Sequence, residues 1–441
     1  MTEVAKAVQE AGAETGRPGL WRQRDFLLLW SGQTVSEMGS AVTQVALPLL
    51  AVVSLRESTF QVGLLTAATT LAFAVIALPA GAMVDGREKR SVMIVCNLLR
   101  LVIIGSVPVA AAFGVLTMAQ LYVVAVAAGV CSVFFDVSYQ SYVPSLVRSD
   151  DLMSANGKLG TTQAFAELGG PSVGGGLAWL VGAAGAMTAD AVSYAVSVLS
   201  ILGIRTREEP PSARLAEETL RRRIAEGLTF VFGHGILRRV VACTATANLF
   251  NGMTSALAMV FLVRVLHVRP ALTGLVLAGA AVGGIVGGVF AGRLVRRIGS
   301  ARIIWVSMLV FGAPQVVAAA AWQGWGVLLF PLGWGVAGFS GMVYNVAQLS
   351  YRQSVTPPEL MGRMNAAVRW VVWGTLPVGG VLGGVLGTLV GVRPALALSF
   401  AGAWAAGWFV FFSPLRRLRD VPPPAPAPAP APVPAAPGVV R

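Results

Sequence analysis

The sequence predicts an all-α membrane protein of twelve transmembrane helices, arranged as two parallel six-helix pseudo-repeats. Three observations carry this: recurrent apolar runs, a lopsided distribution of basic residues, and matches between the halves at one offset. The chain is 55% hydrophobic and 12% charged, whereas a soluble domain carries about 25% charged residues. In water it would expose apolar patches far beyond those of soluble surfaces. A bilayer-spanning helix needs about 20 mostly apolar residues. Such runs recur at 26–54, 60–84, 91–113, 117–142, 158–181, 187–204, 240–263, 271–291, 302–322, 325–349, 367–390 and 394–413. Amides in hydrocarbon must be paired within their own segment, and period-2 alternation is weak, so the runs read as helices rather than barrel strands.

With the amino terminus in the cytoplasm, 28 of the 33 Lys and Arg residues fall in inner segments. Outer loops hold four, Arg56, Arg264, Arg269 and Arg393, and Arg100 lies inside the third span. This bias predicts a multi-pass plasma-membrane protein with both termini cytoplasmic. It assigns the net charge of +13 to topology and to anionic membrane lipids, not to nucleic acid. Residues 1–20 read as a disordered cytoplasmic N-terminus without a cleavable signal. Residues 21–204 form the first bundle and 240–415 the second. The cytoplasmic linker, 205–239, has Leu220, Ile224 and Leu228 at helical spacing, which predicts an amphipathic helix on the inner surface. Residues 416–441 are basic and then Pro/Ala-rich, a disordered tail expected to extend as polyproline. The cysteines Cys96, Cys131 and Cys243 lack metal-ligand spacing. No nucleotide-binding loop and no Ser-His-Asp set is read, so neither enzymatic activity, a cofactor nor a metal is expected. A monomer is expected.

The halves echo each other. Gly63 and Gly274 are 211 residues apart, as are Gly81 and Gly292. Asp136 and Asn345 are 209 apart, as are Tyr142 and Tyr351. Six helices per unit insert both units with the same orientation, around an axis normal to the membrane.

Three motifs refine this reading. The loop after the second span reads Gly81-Ala82-Met83-Val84-Asp85-Gly86-Arg87-Glu88-Lys89-Arg90. It resembles the major facilitator signature G-x-x-x-D-[RK]-x-G-[RK]-[RK] at Gly81, Asp85, Lys89 and Arg90, and departs from it at Gly86 and Glu88. The resemblance implies a conformational latch, made and broken as the halves rock; anchoring of the loop at the headgroups is the plainer alternative. The fifth span carries Gly170-Pro171-Ser172-Val173-Gly174-Gly175, similar to the G-P-x-x-G-G core found in exporters of that superfamily. Proline bends a helix and glycines allow close packing. Trp30-Ser31-Gly32-Gln33-Thr34-Val35-Ser36, Asp190-Ala191-Val192-Ser193-Tyr194 and Glu226-Gly227-Leu228-Thr229-Phe230 together look like the branch containing macrolide efflux proteins and the enterobactin exporter. The resemblance implies a secondary carrier that exports a lipophilic or amphipathic small molecule by proton antiport with alternating access. Uptake, facilitated diffusion, or a non-transporting scaffold that displays the Pro-rich tail are the competing readings.

Charge at membrane depth is costly and marks function. Glu37 lies eleven residues past Phe26, about 16 Å along a helix and near the middle of a core about 30 Å thick. It is the first choice for proton coupling, against a carboxyl that is merely buried and hydrogen-bonded. Glu167, before the Gly-Pro bend, is the second, with capping as its alternative. Asp190 lies toward the outer face, where a gate or helix-start role stands beside coupling. Asp136 reads as ending the fourth span. Arg100 pairs with an acid or meets substrate. The second half offers amides instead of acids, so Asn248, Asn251 and Asn345 are cavity candidates there, beside Gln33 and Arg100 of the first half. Trp334, Trp370 and Trp373 join them, with helix packing as the alternative.

Overall fold

The computed structural model describes residues 23–85, 87–147, 152–206, 220–357 and 360–420. The expected disordered N-terminus and the Pro/Ala-rich segment from 421 lie outside the described residues. Eleven helices among the described residues have the length and apolarity to cross a membrane. In the first half these are α1 (Arg24–Leu49), α2 (Thr59–Asp85), α3 (Lys89–Ala112) and α4 (Met118–Leu146). A single helix, Leu152–Leu202, follows and breaks at Gly182, whose φ of 77° and ψ of 159° are not helical. Its limbs, α5 (152–181) and α6 (183–202), restore the twelve spans. The expected loop at 182–186 is thus one residue, because glycine alone accepts this backbone without strain.

In the second half, α8 (Leu237–Val260), α9 (Pro270–Ile298), α11 (Leu329–Val355), α12 (Met361–Leu389) and α13 (Val392–Ala405) run on, with a short α14 (Gly407–Phe411). The ninth span is less regular: α10 (Arg302–Val306) passes into a wide π turn, Ser307–Phe311, and a 3₁₀ stretch, Ala313–Ala320. The linker helix α7 (Leu220–Gly233) is amphipathic, as its spacing requires. It docks on protein: Glu226 pairs with Arg363, and Val231 joins a buried cluster with Met364 and Val368. Residues 414–420 also dock, where the disordered tail was expected to have begun. The Arg419 carbonyl accepts from the amides of Ala301 and Arg302, and Asp420 Oδ1 accepts from the Ser300 amide at 2.9 Å.

Within the first half α1 lies along α5 and α6, α2 along α4, and α3 against α4 and the 152–202 helix; within the second, α9 packs on α11 and α8 on α12 and α13. The halves meet where α2 crosses α12 and α5 crosses α9. Both crossings are close on the side away from the linker, here the far side. A Cβ on Gly63 would lie 2.6 Å from Gly384 Cα and 2.7 Å from the Gly380 carbonyl. A Cβ on Gly274 would lie 3.0 Å from Gly175 Cα and closer still to the Pro171 carbonyl. The two glycines that mark the repeat therefore fill equivalent contacts.

The far end has a second symmetric feature. Helices α1 and α8 each end in a π turn, Leu50–Ser54 and Phe261–Val265. A left-handed non-glycine residue follows each: Arg56 and His267, both with φ of 54°. Among the described residues, only the second half adds a clasp. Arg264 Nη2 donates to the carbonyls of Val52 and Glu57 across the interface. A hydrogen bond to a charged group contributes about 1.5–3 kcal/mol, so Arg264→Gln is expected to raise far-side opening roughly tenfold or more. Labelling of Thr59→Cys by a membrane-impermeant maleimide checks this, since the three native cysteines are buried. An unchanged labelling rate in the Arg264→Gln background would exclude the clasp.

Candidate functional site

Small residues set α1 deep in the first half. A Cβ on Gly32 would meet Ser200 Cβ at 2.7 Å, and one on Gly39 would meet the Asp190 carboxylate at 2.6 Å. This packing turns the next helical face toward the linker-side interior. There Trp30, Gln33, Glu37, Tyr139, Leu159, Thr162 and Gln163 line a recess of about 70 Å³. Trp30 Nε1 donates to Thr162 Oγ1 at 2.9 Å, tying α1 to α5. Gln33 Nε2 donates to Glu37 Oε1 at 2.7 Å. Glu37 is half-buried, and Gln33 Oε1 is buried with no hydrogen-bond partner among the described residues. An acid and an unused amide acceptor therefore share one recess with two aromatic walls, an arrangement that suits a ligand with a polar group on an apolar body.

Arg100 stands in the core of the first half. It is 5% exposed. Its guanidinium lies over the rings of Phe135 and Tyr194, at 5.0 and 5.3 Å. Nη1 donates to Asn97 Oδ1 at 3.4 Å, and Nε is buried without a hydrogen-bond partner among the described residues. A buried charge needs compensation. Glu37, Asp136 and Asp190 all feel its field, and no ion pair with any of them forms among the described residues. Aromatic faces and three surrounding acids thus share one cation.

Asp190 is fully buried, unlike Glu37. It accepts from Thr43 Oγ1, and Ser193 Oγ approaches its Oδ1 at 3.3 Å. Beside it Ser40 and Tyr194 share a hydrogen bond of 2.9 Å. Asp190 is thus part of the polar seam between α1 and α6, outside the recess. The side chains of Glu167 and Asp85 lie outside the described residues; the backbones place Glu167 four residues before Pro171 of α5 and Gly81 and Asp85 in the last turns of α2. Lys89 opens α3, and Arg90 donates to the carbonyls of Ile201 and Leu202 at 3.2 and 3.0 Å. A cation at a helix C-terminus is favourable, so Arg90 pins α3 to α6.

The α5 motif is a packing device on two faces. Gly170 abuts Ala41 of α1, and a Cβ on Gly174 would lie 3.0 Å from Val42 Cα. On the other side Pro171 and Gly175 receive Gly274 of α9. One short run therefore joins α1 of its own half to the opposite half.

The second-half candidates separate. Trp370 donates to the Ala74 carbonyl of α2 at 2.9 Å, and the Trp373 ring sits 5.1 Å from that of Phe73. Both close the waist between the halves. Trp334 stacks on Phe330 at 5.5 Å and meets Phe400 edge-on at 5.8 Å, within the hydrophobic core. Asn248 donates to the Val372 carbonyl at 3.2 Å, so it ties α8 to α12. Asn251 accepts from Ser255 and Asn345 from Gln348, each within its own helix.

Two side chains sit differently from their reading in the sequence. Asp136 does not end its helix; α4 continues ten residues beyond it. Arg369 is not in a loop, because α12 starts at Met361 and carries it two turns into the bundle. There it lies over the Trp373 ring at 5.1 Å and acts electrostatically on Asp136 of the other half. A charge two residues inside a predicted span was the available signal.

Comparison with known proteins agrees with this fold. The profile of the transmembrane secretion effector family matches residues 19–434. The multidrug efflux pump Tap of Mycolicibacterium fortuitum is 27% identical, over 81% of this chain and 87% of its own length. Macrolide efflux protein A of Streptococcus pyogenes is 22% identical, over 82% of this chain and 89% of its own. Among solved structures, an inward-facing bacterial homologue of the iron transporter ferroportin superposes with a TM-score of 0.73 at 18% identity, covering 89% of this chain and 99% of that one. A bacterial homologue of the human lysosomal transporter Spinster, inward-facing and occupied, gives 0.70 at 16% identity, covering 90% and 97%. A multi-pass bundle of twelve spans, with glycine-lined crossings between its halves and a match across almost its whole length, identifies the chain as a major facilitator transporter of the transmembrane secretion effector family.

Proposed function

We propose that this transporter exports an amphipathic or lipophilic small molecule across the plasma membrane, in exchange for inward-moving protons. The halves, residues 21–204 and 240–415, alternate access to a site between them. The observation that carries this reading is the linker-side recess, where half-buried Glu37 stands beside aromatic walls while the far side is clasped. The segments that the sequence reads as inner, the linker among them, carry 28 of the 33 basic residues, so the linker side reads as cytoplasmic. The recess then loads from the cytoplasm. The names of two relatives, a multidrug pump and a macrolide efflux protein, support export.

In this scheme Glu37 takes the proton after the far side opens, and its neutralisation releases the substrate's polar group. Arg100 holds the acids of the first half in one field, so a proton on one changes the others. Gly81, Asp85, Lys89 and Arg90 form the latch between strokes. Gly170, Pro171, Gly174 and Gly175 keep α5 thin enough to roll on α9. Trp370, Trp373 and Arg369 form the waist that opens last. Asp190 serves the seam, and Glu167 is the second coupling candidate.

Purified protein in vesicles with an imposed pH gradient tests the reading, with a radiolabelled macrolide first and then a panel of amphipathic antibiotics. Accumulation on the acidic side against the compound's own gradient, abolished by a protonophore, is expected. Flux that ignores the pH gradient, or runs with the protons, would replace export by facilitation or uptake. Absence of flux for every compound would favour the scaffold reading.

A further inference from the structure

A second cavity lies far from the recess, on the linker side of the second half. Ala405, Trp408, Phe409 and Phe412 wall an open groove of about 320 Å³, and Arg239 stands at its rim. Its aromatic side chains are packed on one another and on their neighbours. Trp408 stacks on Phe412 at 5.6 Å and meets Phe411 edge-on at 5.2 Å, and Trp404 Nε1 is tied to the Leu309 carbonyl at 2.9 Å. Phe409 and Phe412 remain 47% and 64% exposed. The groove's apolar floor is therefore built and not covered by protein.

Its rim is basic. Arg239 donates to the Phe412 carbonyl, which fixes the guanidinium at the end of α14. Arg416 lies over the Phe411 ring at 5.6 Å, and Arg238 and Arg417, adjacent in sequence to Arg239 and Arg416, are exposed. Segments 234–240 and 405–417 contain four arginines and no acid. The acids nearest in sequence are engaged elsewhere: Glu226 with Arg363, and Asp420 with Ser300. An arginine whose geometry is set by one carbonyl keeps its other N–H groups for a phosphate. Aromatic side chains below a cationic rim match the boundary between acyl chains and headgroups.

We infer that this groove is a binding site for one anionic phospholipid, with its phosphate on Arg239 and Arg416 and an acyl chain along Trp408, Phe409 and Phe412. The site seats a lipid against the start of α8 and the end of α14, so the lipid contacts a helix that moves with the second half. It is independent of substrate and of proton coupling.

Native mass spectrometry of the full chain, released from mixed micelles of phosphatidylglycerol and phosphatidylcholine, tests the site. Retention of one phosphatidylglycerol in preference to phosphatidylcholine is expected, and rising salt should weaken it. Each of Arg239→Gln and Arg416→Gln should lower that preference about fivefold, the effect of one basic residue near an anionic surface. Arg416→Gln leaves the Arg239 bond to Phe412 intact, so it reads the site even if the first variant folds poorly. Arg297→Gln, on the same side at the end of α9, should leave the preference unchanged. Equal retention of the two lipids would overturn the inference, as would a preference that survives the Arg416 substitution. Competition by soluble glycerol phosphate as effective as by the lipid would also overturn it, by making the occupant a free phosphate.

Discussion

Glu37→Gln is expected to abolish gradient-driven efflux while leaving the protein folded, inserted and able to bind its substrate. Glutamine has the same shape as glutamate and still offers a carbonyl oxygen to Gln33 Nε2, so the bond of 2.7 Å that orients the side chain survives. The packing of α1 on α5 and α6 through Gly32 and Gly39 is untouched. Only the ability to gain and lose a proton disappears. A coupling group is needed in every cycle, so uphill transport should fall by at least about tenfold, or roughly 1.4 kcal/mol in the limiting step. Exchange of labelled for unlabelled substrate, which needs no gradient, should persist. Vesicle assays of both modes check the result: normal uphill transport by Glu37→Gln would remove this residue from the mechanism, and Glu167→Gln would then be tested next.

Gly63→Val is expected to be as damaging through geometry alone. The first side-chain atom would lie 2.6 Å from Gly384 Cα and 2.8 Å from Gly384 N, both backbone atoms of α12. Backbone in a packed helix cannot step aside as a flexible side chain can, and overpacking of this kind typically costs about 1–3 kcal/mol. That cost falls on the far-side-closed state and not on the open one, so the balance shifts toward opening by roughly tenfold or more. Transport should collapse while expression persists, and impermeant labelling of far-side cysteines should rise. Gly274→Val should act in the same way through Pro171 and Gly175. Gly176→Ala provides the control, since a Cβ there meets nothing within 4 Å. Wild-type transport by Gly63→Val would show that the crossing of α2 and α12 is not a closing contact.

Much of the fold was legible in the sequence because the bilayer imposes a strong rule. Length and apolarity are enough to mark spans, and Gly63 and Gly274 disclosed the repeat before their contacts were known. The legible part stopped at boundaries. Polar residues at helix ends belong to the helix without being apolar, so α12 starts at Met361 and Arg369 sits inside it. The single-residue break at Gly182 was hidden because glycines are common in that stretch and carry no mark of their φ. The site divided in the same way. Glu37 was readable from depth along one helix. Trp334 was not assignable, since whether an aromatic faces a cavity or Phe330 and Phe400 depends on helix rotation. The clasp of Arg264 on Val52 and Glu57 was also invisible, because its acceptors are carbonyls, which every residue possesses.

The matched endings of α1 and α8 carry a consequence for ancestry. Arg56 and His267 share no chemistry beyond a basic character, yet both hold φ of 54°, and the residues before them, Leu55 and Leu266, agree within a few degrees. A left-handed turn at a branched or bulky side chain costs on the order of 1 kcal/mol, so two such turns would not arise in register by drift. Duplication of a half-length gene leaves this kind of fossil: torsion angles outlast the letters that once encoded them.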